Sequence, residues 1–191
     1  MPSNIDGEAK EESKMAIQIG AKLDSGFDDP IGMLTDCHHR IEQFLHILFV
    51  VVVRAAGRTL TGEETAAVQS ALQYFRVGGQ RHTEDEEVSL FPRLRAEFAT
   101  EIFEELGRLE NDHRHANDLH STVETLYLAW IAAGLLSPEE EERLLSATKQ
   151  LQQLYKEHIQ VEEKIVFPRA VEVMDTQTIA TIGQEFRARR K

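Results

Sequence analysis

The chain has 191 residues, a formal net charge of −12, 41% hydrophobic and 28% charged residues, and one cysteine, Cys37. That length suits a single domain with a sizeable core. The acidic balance argues against nucleic acid or an anionic membrane surface as partner, and the lone cysteine excludes an internal disulfide and an all-thiolate metal site.

The longest apolar run, residues 47–53, is too short to span a bilayer. The polar N-terminus carries no export signal, so a cytoplasmic location is expected. Residues 1–27 read as a polar arm, with a short helix around Lys14 to Leu23. Asp28, Asp29 and Pro30 then open a long helix that should run to about Ala55 and stop at Gly57. The valines at 50–53 alone would suggest a strand, but they continue an unbroken helical pattern. Thr61 starts a second helix, with Glu63 and Glu64 in its first turn. Gly78 and Gly79 interrupt it one turn before His82, a cost that needs a reason, and Pro92 should bend it.

A third helix is expected from about Thr100, its cap, to Ala133, with Glu101 and Glu104 near its positive end. Ser137, Pro138, Glu139 and Glu140 form a clear start signal for a fourth, reaching about Met174. A short amphipathic helix, roughly Thr178 to Arg187, precedes a basic tail of Arg187, Arg189, Arg190 and Lys191. The fold class is therefore all-α: an up-down-up-down four-helix bundle over residues 28–175, with residues 176–191 as a short appended helix and tail.

Two segments repeat one pattern. His82, Glu86, Glu87, Phe91, Pro92 and Arg93 recur 76 residues later as His158, Glu162, Glu163, Phe167, Pro168 and Arg169. Positions i and i+4 share a helical face, so each copy presents an imidazole and a carboxylate together. The other two helices add His39 and His113, each followed seven residues later by another histidine, His46 or His120. His38 and His115 read as exposed, and Glu87 and Glu163 as neighbours of the ligand face rather than ligands. Four imidazoles and two carboxylates suit two ions, each with two histidines and both bridged by the glutamates. Such mixed donors favour iron, with manganese or zinc possible. A ferritin-like alternative would use Asp36 and Glu110, each three residues before His39 or His113.

The order His … His-x-x-x-Glu … His … His-x-x-x-Glu resembles the hemerythrin-like, HHE cation-binding family over about residues 28–174. Carried over by position, the resemblance implies a metal site of His39, His82, Glu86, His113, His158 and Glu162. The oxygen-carrying hemerythrins have a further histidine where this chain has Asn117. The pattern is similar instead to the four-His, two-Glu variant of the family, found in its iron-sulfur repair proteins. Implied are two iron ions and a small ligand: dioxygen, nitric oxide or peroxide. Alternatives are an oxidoreductase detoxifying peroxide or nitric oxide, and an iron-handling or iron-sensing protein. Gln43, Asn117, Gly78, Gly79 and Tyr155 are expected to frame a small polar pocket. Tyr155, His46 and His120 are the candidates there for hydrogen-bonding or proton-transfer roles. Cys37 reads as a small buried residue.

Overall fold

The computed structural model describes residues 25–98 and 102–191. The helix expected in the N-terminal arm, and Thr100 and Glu101, lie outside them. Every regular element among the described residues is helical.

Helix α1 spans Pro30–Ala55. The Asp29 side chain accepts the Gly32 N–H at 2.9 Å, and Pro30 occupies an opening position that needs no donor. The valine run stays helical, and Gly57, at φ +73°, turns the chain away. The second rod is continuous but changes register twice. Its parts are α2 (Gly62–Tyr74), a π-helical turn (Phe75–Gly79), α3 (Gln80–Glu84), a second π-helical stretch (Asp85–Leu90) and α4 (Phe91–Glu97). A capping box between Thr61 and Glu64 starts it.

Helix α5 spans Phe103–Ala133 and closes on Gly134, at φ +83°. Helix α6 (Pro138–Val161) opens with a capping box between Ser137 and Glu140. It runs through a π-helical stretch (Glu162–Val166) into α7 (Phe167–Val173), and α8 (Thr176–Arg189) follows, capped by Asp175.

The second and fourth rods stay helical through Pro92 and Pro168. Proline cannot donate to a carbonyl one turn back. Here each proline follows a π-helical stretch in which the preceding Phe N–H reaches five residues back, Phe91 to the Glu86 carbonyl and Phe167 to the Glu162 carbonyl. The missing donor is thus absorbed at a register change, a feature that often accompanies functional sites.

Four antiparallel rods form the bundle: α1, α2–α4, α5 and α6–α7. Helix α6 lies against α5 and α1, and α2 lies against α1. The buried apolar residues fall into two zones. One holds Ile41, Leu45, Leu48, Val68, Leu72, Val123, Trp130 and Leu151; the other holds Leu34, Leu90, Phe91, Leu94, Leu106, Leu109, Val166 and Phe186. In every rod the sequence between these zones carries the buried histidines and glutamates. No helix among the described residues is long and apolar enough to cross a membrane.

Helix α8 seals the second zone with Ile182 and Phe186. Gly183 allows this close approach, because a Cβ there would sit 1.8 Å from the Phe27 carbonyl oxygen. The expected basic tail is partly tied down. Arg189 and Arg190 each bond the fully buried Asp85 carboxylate, at 2.7 and 2.6 Å, and Arg189 also bonds the Ser89 hydroxyl. Removing both guanidinium groups leaves a buried charge uncompensated. An Arg189→Ala/Arg190→Ala variant is expected to lose about 3–5 kcal/mol of stability. Urea denaturation checks this, and a loss below about 1 kcal/mol, the range of a surface pair, would contradict it.

Candidate metal centre

Six side chains converge between the two apolar zones: His38 from α1, His82 from α3, Glu86 from the following π-helical stretch, His113 from α5, His158 from α6, and Glu162 at the start of the last π-helical stretch. Both glutamates are 0% exposed and none of the four histidines exceeds 9%.

The two carboxylates each divide their oxygens. Glu86 Oε1 lies 3.2 Å from His82 Nε2, and its Oε2 lies 3.3 Å from His113 Nε2. Glu162 Oε1 lies 3.2 Å from His158 Nε2, and its Oε2 lies 3.0 Å from His38 Nε2. The donors thus sort into two sets sharing both glutamates: His38 and His82 in one, His113 and His158 in the other. Within each set the ligand atoms lie within 4.8 Å of one another.

The structure corrects the α1 ligand. His38 enters the cluster and His39 faces solvent. The phase of α1 could have shown this. Leu34, His38, Ile41 and Leu45 follow the three- and four-residue spacing of one buried face, and position 39 lies about 100° off it. The misleading signal was the equal spacing of His39 to His46 and His113 to His120. His46 is exposed too, so it has no role in the cluster. Asp36 and Glu110 are engaged elsewhere: Asp36 accepts the Ser25 N–H, and Glu110 pairs with Arg95. The ferritin-like arrangement is therefore absent among the described residues.

Three of the four imidazoles have a carboxylate behind them, whereas His82 Nδ1 is buried with no hydrogen-bond partner among the described residues. His38 Nδ1 lies 2.9 Å from Glu163 Oε1, and His113 Nδ1 lies 2.7 Å from Glu87 Oε1. Each Nδ1–H donates to its carboxylate, which leaves Nε2 as a lone-pair donor facing the cluster. The Asp112 carboxylate stands 3.5 Å behind His158 Nδ1, a contact that the sequence alone did not single out. The paired phenylalanines of the repeat also gain a role. Phe167 stacks on His38 with centroids 5.4 Å apart, and Phe91 stacks on His113 at 6.3 Å. The duplicated Glu-Glu and Phe-Pro pattern therefore supplies a ligand, an orienting carboxylate and a ring wall in each half.

Without a cation this constellation is costly. Both oxygens of Glu86, both of Glu162, and His38 Nε2 are buried with no hydrogen-bond partner among the described residues. The 3.0 Å approach of His38 Nε2 to Glu162 has the distance of a hydrogen bond but not its direction. Burial, and then the neighbouring Glu162 charge, push the Glu86 carboxyl well above the usual range. Burial acts on Glu162 in the same sense, but His158 and His38 outweigh it and hold that carboxyl well below the range. Burial also pulls His82 well below its ordinary value, while Glu162 and Asp112 lift His158 to about 9 against the same burial. Orphaned oxygens and imidazole lone pairs facing one another fit divalent cations, which satisfy all of them together.

Beside the cluster lies a cavity of about 530 Å³, between the second rod and α5, with Tyr155 reaching in from α6. Of the framing residues expected from sequence, Gly79, Asn117, Tyr155 and His120 line it, whereas Gly78, Gln43 and His46 do not. Gly78 has a different purpose: a Cβ there would meet the Tyr74 ring at 2.8 Å. The Tyr74 hydroxyl donates to the Cys37 carbonyl at 3.3 Å. Cys37 itself is half-buried, with its thiol pushed up to about 11 by burial. His120 Nε2 lies 3.1 Å from the Tyr155 hydroxyl, and burial pulls His120 down to about 4.

Fold and site together define a helical bundle built around a buried histidine–carboxylate cation site. The chain belongs to the hemerythrin HHE cation-binding domain family, whose model matches residues 29–170, a span that contains all six converging side chains. It is also similar to an uncharacterised protein of Haemophilus influenzae, 25% identical over 165 residues that cover 86% of this chain and 92% of the relative.

Two outcomes follow from the ionisation balance. Glu86 titrates above its unfolded value of 4.5, so the cation-free protein loses stability as pH rises past that value toward the folded one. Cation-free Glu86→Gln should be more stable than the parent at pH 7 by about 1–3 kcal/mol, and manganese should stabilise only the parent. Equal denaturation midpoints with and without manganese in the parent would contradict this. His120 stays neutral in the fold, so its contribution holds above 6.5 and is lost as pH falls toward about 4. Comparing cation-free parent with His120→Asn between those limits should reveal a difference of up to about 3 kcal/mol, at about 1.4 kcal/mol per unit. Parallel stability profiles would contradict it.

Proposed function

We propose that this chain carries a carboxylate-bridged di-iron centre that binds or senses dioxygen, nitric oxide or peroxide. His38 and His82 would hold one iron and His113 and His158 the other, with Glu86 and Glu162 bridging. The observation that carries this reading is the division of each carboxylate, one oxygen toward each histidine pair. Manganese or zinc would suit the same nitrogen and oxygen donors less specifically.

Iron, when bound, supplies open coordination positions and an accessible redox couple at neutral pH. The chain supplies the rest. Glu163 and Glu87 orient His38 and His113 and raise their basicity through Nδ1. The apolar zones above and below exclude water, so the centre is approached sideways through the polar cavity. At the cavity wall the Tyr155 hydroxyl and His120 Nε2 share a hydrogen bond and can pass a proton between them. That pair favours a second reading, an oxidoreductase consuming peroxide or nitric oxide. Burial holds the Tyr155 phenol well above its ordinary value, so it would act as a proton-holding donor rather than as a phenolate.

Anaerobic titration with ferrous iron tests both readings. Two irons per chain, a rise in melting temperature and a lasting visible change with nitric oxide are expected for a binding or sensing centre. Sustained peroxide consumption that falls about tenfold or more in Tyr155→Phe would favour the oxidoreductase, since positioned proton transfer contributes at least that much. Failure to retain iron would overturn both.

A further inference from the structure

Helix α8 does more than cover the second apolar zone. Its polar groups grip one stripe of the second rod, Asp85, Ser89 and Arg93, which share a face at four-residue spacing. Arg189 bonds the Asp85 carboxylate and the Ser89 hydroxyl at 2.7 and 2.6 Å, and Arg190 takes the other Asp85 oxygen at 2.6 Å. Arg93 reaches back to the Ser89 carbonyl at 2.7 Å and forks onto Glu185 of α8 at 3.1 and 2.8 Å. Asp85 and Ser89 have no exposed surface, so water does not compete for these charged bonds.

The gripped residues span the π-helical stretch Asp85–Leu90, which also carries Glu86. Adjacent residues on a helix point about 100° apart, so one turn of backbone presents Glu86 to the cation layer and Asp85 to α8. A π-helical stretch bonds at five-residue spacing, one residue from the α register. A slip of one residue would swing Glu86 about 100° out of the layer and pull Asp85 off both arginines. The place of Glu86 in the layer and the docking of α8 therefore depend on the same backbone register.

The other copy of the repeat has no such clamp. Val161 stands where Asp85 does and Ile165 where Ser89 does, and neither side chain can bond a guanidinium. Arg169, the counterpart of Arg93, lies over the Phe98 ring at 5.4 Å. The repeat itself thus does not demand Asp85 and Ser89; α8 explains their use in this copy.

We propose that Arg189 and Arg190, with Glu185 behind Arg93, are positioning residues for Glu86, so that cation binding in the layer and docking of α8 strengthen each other. This rests on the reading of the layer as a cation site. Such coupling is reciprocal: whatever loosens α8 weakens the cation, and loss of the cation loosens α8.

Manganese binding to the whole chain tests one direction. Arg189→Ala and Arg190→Ala each leave one guanidinium on Asp85, and each should raise the manganese dissociation constant about fivefold or more. Arg187→Ala removes an exposed guanidinium of the same helix that lies over the Phe27 ring, and should bind within about twofold of the parent. Hydrogen exchange in the unsubstituted chain tests the other direction. Amides of α8 that exchange faster than those around Trp130 in the cation-free chain report local undocking. A helix that merely covers the core undocks as easily with manganese as without it. The coupled helix should exchange about fivefold or more slowly once manganese is added. The proposal is overturned if both single-arginine variants bind manganese within about twofold of the parent, or if those α8 amides change by less than about twofold. A parent chain that takes up no manganese removes the cation site itself, and this shows before any variant is measured.

Discussion

Two carboxylates with no exposed surface and, among the described residues, no hydrogen bond to their oxygens are the constraint on which the structure turns. Burying such groups costs several kcal/mol each unless something satisfies them. The bundle cannot escape that cost by exposing them, because dry zones lie on both sides along every rod. The same packing that builds the fold therefore holds a polar layer that calls for cations. Two π-helical stretches, each tied to a Glu–Phe backbone bond and a following proline, set the register of the two carboxylates.

Much of this was legible in the sequence. Capping boxes at Thr61 and Ser137, Asp29 before Pro30, and glycines at 57 and 134 mark the helix ends, because caps depend on local chemistry alone. The two HxxxE pairs were legible for a similar reason: i and i+4 face one way whatever the tertiary context. The α1 ligand was harder, since His38 and His39 are adjacent and only the phase against Leu34 and Ile41 decides between them. The repeated Glu-Glu pairs placed Glu87 and Glu163 beside the ligand face, but which imidazole each one meets, and the contact of Asp112 with His158, depend on how separate rods pack. Nor does the sequence show that Arg189 and Arg190 fold back onto Asp85.

The site is a near-repeat whose halves differ: Asp112 stands behind His158 Nδ1, whereas His82 Nδ1 has no partner among the described residues. Each half contributes a histidine and glutamate, an orienting carboxylate and a phenylalanine ring. The cavity lies on one flank, beside Gly79 of the second rod and Ala116 of α5; Tyr155 of α6 and Ile41 of α1 hold the equivalent places on the other two rods. Asp85 links this layer to α8: it precedes Glu86 of the cluster, and the C-terminal arginines hold it.

The central claim is that Glu86 and Glu162 together hold two cations, each completed by two histidines. Crystals grown with ferrous iron or manganese, measured at the metal absorption edge, test it most directly. Two anomalous peaks about 3.5–4 Å apart, lying between the two carboxylates and flanked by His38 with His82 and by His113 with His158, are the expected result. A single peak, or none within this layer, would contradict it.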